Sequence, residues 1–143
     1  MTELDKKALE TLDLELAILV RRITSITAQK RIGSLDRSAY LLLAQISDHR
    51  AVGVKTLADE FHLDISTVSR QTAALEQKGY VERSPDPQDG RAYYLQITKL
   101  GLRMLEESQA ARVARLSELL KSWSNEESEQ LGALLKKFNR TFL

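Results

Sequence analysis

Apolar residues set the chain's first rhythm: Leu9, Leu12, Leu16, Leu19, Val20, Ile23 and Ile26 recur at steps of three and four, which predicts an amphipathic helix from Leu4 to about Lys30. Leu14 and Ile18 lie off that stripe and widen the apolar surface, so the helix is expected to pack on two sides. Gly33 and Ser34 break the pattern, and a second helix carrying Tyr40, Leu41, Leu43, Ala44 and Ile46 runs from about Asp36 to Asp48, with Ser34 or Asp36 as cap. After an Arg50 to Gly53 connection, Val54, Leu57, Ala58 and Phe61 mark one face of a two-turn helix. The next helix opens at Asp64, an N-cap residue type, with Leu63 and Val68 spaced as a hydrophobic staple, and closes at Gly79, whose lack of Cβ suits a left-handed C-terminus. The period then switches to two. Tyr80 to Ser84 and Arg91 to Thr98 read as strands, the second with Tyr93, Leu95 and Ile97 towards one face, and Pro85 to Gly90 form the loop between them. A long helix returns from Lys99 to about Lys121, and a capping box of Ser124 and Glu127 opens a last helix with Leu131, Leu134, Leu135, Phe138 and Phe142.

Two short helices, a tight turn between them and a hairpin after them give a mainly α (α+β) fold: a winged helix-turn-helix with N- and C-terminal dimerisation helices. At 143 residues the chain is one domain. Residues 36–98 form the DNA-binding lobe, and residues 1–32 and 99–143 the dimerisation helices. The terminal segments carry more leucine than a small winged-helix core can absorb; a two-fold homodimer is expected to bury that excess, with a monomeric helical bundle as the alternative.

Composition narrows the chemistry by exclusion. Hydrophobic and charged fractions of 43% and 29% are those of a globular protein. No apolar run reaches the roughly 18 to 20 residues that span a bilayer, and the N-terminus lacks the basic and apolar regions of a signal peptide, so no membrane partner and a cytoplasmic location are expected. The absence of cysteine removes disulfides, thiolate metal sites and thiol-based sensing. There is no Gly-rich phosphate loop and no His/carboxylate spacing of a metal hydrolase; His62, near Asp59 and Asp64, reads as a surface turn residue. No enzymatic activity, cofactor or metal is expected.

The case for double-stranded DNA rests on placement, because the net charge is only +1. Between residues 64 and 91, Arg70, Lys78, Arg83 and Arg91 face Asp64, Glu76, Glu82, Asp86 and Asp89, a slightly acidic balance. On a wheel of about 100° per residue, Ile65, Val68, Thr72 and Leu75 gather on one side, which is expected to face the core. Ser66, Thr67, Arg70, Ala73, Ala74 and Gln77 gather opposite. Short hydroxyls reach phosphates or bases, alanines permit close approach, and Arg or Gln can make bidentate base contacts, so this face suits a major groove. Arg91, just after the Asp89–Gly90 turn, is a long cation placed for a minor groove, with Arg83 across the hairpin and Asp89 able to orient Arg91 through a charge-assisted hydrogen bond. The same fold used for protein contact, without specific DNA binding, is the alternative reading.

These residues resemble the MarR family of bacterial winged-helix regulators over essentially the whole chain. Leu57 and Ala58 match the "LA" of the supporting helix, Ser66 to Arg70 the start of the recognition helix, and Leu75 to Tyr80 its end. Asp86, Asp89, Gly90 and Arg91 match the wing signature "DxxDGR", and Ile97, Thr98 and Gly101 the entry to the next helix. The resemblance implies a homodimer, probing the major groove with Ser66, Thr67, Ser69, Arg70 and Gln71, and the minor groove with Arg91 supported by Asp89; Ala74, Gln77 and Arg83 complete the expected interface. It also implies a ligand-responsive repressor on a pseudo-palindromic operator, answering a small aromatic or anionic effector held where the dimerisation helices meet the lobe. Arg21, Arg22, Tyr40, His49 and Arg50 have the residue types for such a pocket. The N-terminal cysteine of peroxide-sensing members is absent, and only His49 and His62 are available where a zinc-sensing subgroup uses several histidines.

Overall fold

The computed structural model describes residues 4–29 and 35–142; Gly33 and Ser34 lie outside the described residues. Among these the order is α1 (Lys6–Gln29), α2 (Arg37–His49), α3 (Val54–Phe61), α4 (Ile65–Gln77), β1 (Val81–Pro85), β2 (Tyr93–Ile97), α5 (Lys99–Leu119) and α6 (Asn125–Arg140). Element types and order agree with the expected mainly α winged helix-turn-helix.

Local chemistry explains most boundaries. Asp36 caps α2, its Oδ1 accepting the Ala39 N–H at 2.8 Å. The capping box of Ser124 and Glu127 is complete, with both reciprocal hydrogen bonds present. Gly79 takes φ of 80°, and the left-handed turn lets Tyr80 N–H reach the Leu75 carbonyl at 3.0 Å. Asp64 departs from expectation: it holds the N-cap position, but its carboxylate accepts no bond from the helix. The first turn starts instead on the Asp64 carbonyl, which accepts Val68 N–H at 3.1 Å. The expected Leu63–Val68 staple is likewise one-sided, since Val68 is buried and Leu63 is exposed.

The hairpin also differs at its edges. Pro85 pairs with Tyr93 as the last residue of β1, an end position where its missing N–H is harmless, and the loop runs from Asp86 to Ala92, so Arg91 lies in the loop and outside β2. Register pairs Val81 with Ile97 and Arg83 with Leu95. Val52, ahead of α3, adds a bridge by exchanging hydrogen bonds with Leu95 at 2.8 and 3.1 Å.

One core joins these elements: Leu42, Leu43 and Ile46 of α2, Leu57 and Ala58 of α3, Val68 and Leu75 of α4, Val81, Leu95, and Leu105 of α5. Truncating one of the larger side chains to alanine would cost about 2–5 kcal/mol. The start of α5 is keyed into this lobe. Thr98 Oγ1 accepts the Gly101 N–H at 3.0 Å and donates to the Gly79 carbonyl at 2.7 Å, while buried Gly101 lies against the Tyr80 carbonyl, where a Cβ would sit 2.0 Å from the oxygen. α1, the distal half of α5 and α6 contribute no described residue to the core, and their leucines are largely exposed within one chain.

Candidate nucleic-acid interface

α3 and α4 are joined by His62, Leu63 and Asp64. His62 takes the left-handed conformation at φ of 53° and turns the chain as the C-cap of α3. Phe61, Leu57 and Ala58 hold α3 on the core, and that platform fixes α4 by its buried side, Val68, Thr72 and Leu75. The one polar group there is satisfied locally, Thr72 Oγ1 donating to the Ser69 carbonyl at 3.1 Å.

The exposed side of α4 carries Ser66, Arg70, Ala73, Ala74 and Gln77, with Thr67, Ser69 and Gln71 half-buried along its margins. This is the face the wheel assigned to DNA, with one exception on the core side: Ile65 is 52% exposed. Its angular position is near the buried stripe, but it lies in the first turn, beyond the end of the core that Val68 begins.

The wing tip is shaped by two aspartates acting on backbone. Asp86 Oδ1 accepts the Gln88 N–H at 2.9 Å, and Asp89 Oδ1 accepts the Arg91 N–H at 3.0 Å, while Ala92 N–H returns to the Asp89 carbonyl at 3.1 Å. Asp89 therefore positions Arg91 through its main chain, where the sequence pointed to a bond with the guanidinium. The Arg91 side chain stands exposed at the tip.

Arg83 is placed differently from the other expected DNA contacts. Its Nε donates to Glu76 Oε2 at 2.5 Å, and its guanidinium lies 4.1 Å over the Tyr93 ring. The bond to Glu76, before any other influence, raises the Arg83 pKa further above its ordinary value. Glu76 belongs to α4, Arg83 to β1 and Tyr93 to β2, so this contact ties the wing to the recognition helix. Sequence reading missed it because a pair seven residues apart across a turn has no helical or strand spacing to reveal it.

Of the residue types suited to an effector pocket, Tyr40 lines a cleft of about 250 Å³ between α2 and α5, with Ala44, Ser47, Asp48, Leu105 and Glu106. His49 Nε2 instead pairs with Glu60 of α3 at 2.8 Å, and Arg50 ends α2 at φ of 65°. Arg21 and Arg22 are exposed on α1. Beside Tyr40, Arg112 stacks at 4.2 Å over its ring, and Arg112 Nε and Ser108 Oγ are buried without hydrogen-bond partners. Among the described residues no cluster of three or more His, Asp or Glu is arranged to hold a metal, and no helix is long and apolar enough to cross a membrane.

Comparison with known proteins gives this geometry a context. The family model described as the MarR family matches residues 35–93. YxaD of Bacillus subtilis, an uncharacterized HTH-type transcriptional regulator, is 43% identical over 140 residues, covering 97% of this chain and 98% of that protein. A MarR family protein from Bacillus stearothermophilus superposes with a TM-score of 0.79 at 19% identity, over 98% of this chain and 99% of its own. A mutant of MarR from E. coli, complexed with operator DNA, superposes with a TM-score of 0.61 at 26% identity, over 73% of this chain and 76% of its own.

Proposed function

The chain belongs to the MarR family of DNA-binding transcriptional regulators, and from that membership we propose that it acts as a ligand-responsive repressor, a homodimer on a pseudo-palindromic operator. The observation that carries the DNA contact is the two-sided character of α4. Val68, Thr72 and Leu75 anchor one side, and the other offers hydroxyls, alanines, one Arg and one Gln without a bulky or acidic side chain at its centre. In this reading Ser66, Thr67, Ser69, Arg70, Gln71, Ala74 and Gln77 meet the major groove and Arg91 the minor groove. Asp89 shapes the wing tip, and Arg83 serves the interface by holding the wing on α4.

Support for the dimer comes from apolar surface with no cover within one chain. Leu9, Leu12, Leu116, Leu119, Leu134 and Phe142 are each at least 45% exposed, and they lie on α1, distal α5, α6 and just after α6. A second copy covers such faces, and the segments 1–32 and 99–143 are the dimerisation helices of this reading. It also supplies the second recognition helix about one duplex turn away. An effector fits the α2–α5 cleft, where Tyr40, with Arg112 stacked over its ring, offers an aromatic wall; Asp48 and Glu106 also line the cleft, so the set favours an aromatic group over an anion.

Sedimentation of the full chain combined with duplex binding at two salt concentrations tests the proposal. A dimer is expected, with affinity for random duplex falling steeply as salt rises, and with selection from a random pool yielding an inverted repeat. A dimer with no salt-sensitive affinity for duplex would leave the fold serving protein contact instead, and a monomer would overturn the homodimer.

A further inference from the structure

The cleft between α2 and α5 holds about 250 Å³. Pockets for drug-sized ligands run to roughly 300–1,000 Å³, so this one suits a single ring with a short tail. Its apolar wall is Tyr40 and Ala44 of α2 with Leu102 and Leu105 of α5. Its charged groups are of one sign. Asp48, in the last turn of α2, and Glu106 of α5 both line the cleft, and no Lys, Arg or His does. Both carboxylates are exposed, and neither pairs with a cation among the described residues. Two neighbouring cations are engaged elsewhere: His49, beside Asp48, pairs with Glu60 at 2.8 Å, and Arg112 lies over the Tyr40 ring, about 9 Å further along α5 than Glu106. Lys99 and Arg103, on the first turns of α5, are exposed and stand outside the wall.

We infer that this cleft takes an aromatic amine, its ring against Tyr40, Leu102 and Leu105 and its protonated amino group at Asp48 and Glu106. The inference rests on the effector reading above and gives that site a ligand class. An aromatic carboxylate of the same size brings a third negative charge to two that are already unpaired. A neutral alcohol has the apolar wall alone. Because both carboxylates are open to solvent, each favours a cation by at most about fivefold, and the two together by about twofold to thirtyfold over the alcohol.

The test uses the full chain and three probes of matched size: 2-phenylethylamine, 2-phenylethanol and phenylacetate. Calorimetric titration is expected to rank the amine first and phenylacetate last, with the amine's advantage shrinking as salt rises. Release of a selected operator duplex is expected to follow the same order. Asp48→Asn combined with Glu106→Gln should bring amine and alcohol to equal affinity, while Tyr40→Leu should weaken all three probes together. Should the double variant lose its helical circular dichroism, Glu106→Gln alone carries the comparison, with a partial loss of the preference expected. Phenylacetate binding as tightly as the amine overturns the ligand class and leaves the cleft as an effector site, and so does an amine preference unchanged in the carboxylate variants. If none of the three binds, or the amine binds without loosening the operator duplex, the effector reading of the cleft falls and the assignment with it.

Discussion

Replacing Glu76 by glutamine separates two roles for Arg83, a strut between wing and helix or a direct DNA cation. The bond from Arg83 Nε to Glu76 is 2.5 Å long, yet the two side chains are 48% and 37% exposed, so solvent screening holds the pair to about 0.2–1 kcal/mol. The stacking of the guanidinium on Tyr93 at 4.1 Å contributes about 0.5–1 kcal/mol more at an exposed site. Together they hold the wing against α4 by about 0.7–2 kcal/mol, or about threefold to thirtyfold in affinity per wing. Glutamine keeps the shape and removes the charge. If Arg83 is a strut, Glu76→Gln loosens the wing; if Arg83 is a DNA cation held back by Glu76, the same change frees it and tightens binding.

Neutralising an acid near DNA favours binding by itself, so the two changes must be combined. The assay is operator affinity across a salt series for wild type, Glu76→Gln, Arg83→Met and the double variant. A strut predicts a coupling of up to about 1 kcal/mol between the two positions, the share of the ion pair alone, with the salt slope of Arg83→Met equal to that of wild type. A phosphate contact predicts that Arg83→Met lowers the slope by about 1 per protomer. That lowered slope, together with tighter binding by Glu76→Gln and no coupling, would refute the assignment of Arg83 to the wing's support.

Gly101→Ala places a Cβ 2.0 Å from the Tyr80 carbonyl oxygen and 2.9 Å from Ile97 Cγ1, so calorimetry should show a loss of about 3 kcal/mol, the upper end for overpacking against backbone; an unchanged melting temperature would contradict the packing at this junction. Deleting Phe138 to Leu143 removes the edge-to-face pair of Phe138 and Phe142, whose centroids are 5.3 Å apart, and should weaken dimerisation and operator binding together; sedimentation of an intact dimer would count against the terminal helices as its seat. Arg70→Ala should relax base preference by about 1–3 kcal/mol if its contact is bidentate, whereas Arg91→Ala should weaken binding evenly across sequences and flatten the salt slope. A gel-shift series in which neither change alters affinity would remove both from the interface.

Periodicity made most of the fold legible because the elements that matter are amphipathic and locally capped. Asp36, Gly79, Thr98 and Ser124 each mark a boundary through a hydrogen bond or backbone conformation that needs only a few neighbouring residues. What escaped are contacts between elements. The Glu76–Arg83–Tyr93 contact needs the hairpin to fold back on α4, and the exposure of Ile65 depends on where the core ends, which a helical wheel does not contain. The wing failed in a subtler way. The sequence points to Asp89 and Arg91 as partners, but the bond uses a main-chain donor, because a carboxylate two residues ahead reaches an N–H more readily than a long side chain's end.

In the proposed dimer, the junction at Thr98 would make the terminal helices part of the DNA-binding mechanism. Within residues 75–101, Tyr80 N–H bonds the Leu75 carbonyl at the end of α4, Thr98 N–H bonds the Tyr80 carbonyl at 3.0 Å, and Thr98 Oγ1 bonds the Gly79 carbonyl at 2.7 Å. The end of the recognition helix and the start of α5 are thus one hydrogen-bonded knot with no slack loop between them. In the proposed dimer, a rotation of α5 passes to α4 instead of being absorbed, and the spacing of the two recognition helices follows the packing of the dimerisation helices. Because the DNA-facing segment is slightly acidic by count, one half-site alone offers little electrostatic affinity. Under the proposed function, operator binding would then depend on engaging both half-sites together, and a ligand that favours a wrong spacing would release DNA without touching α4.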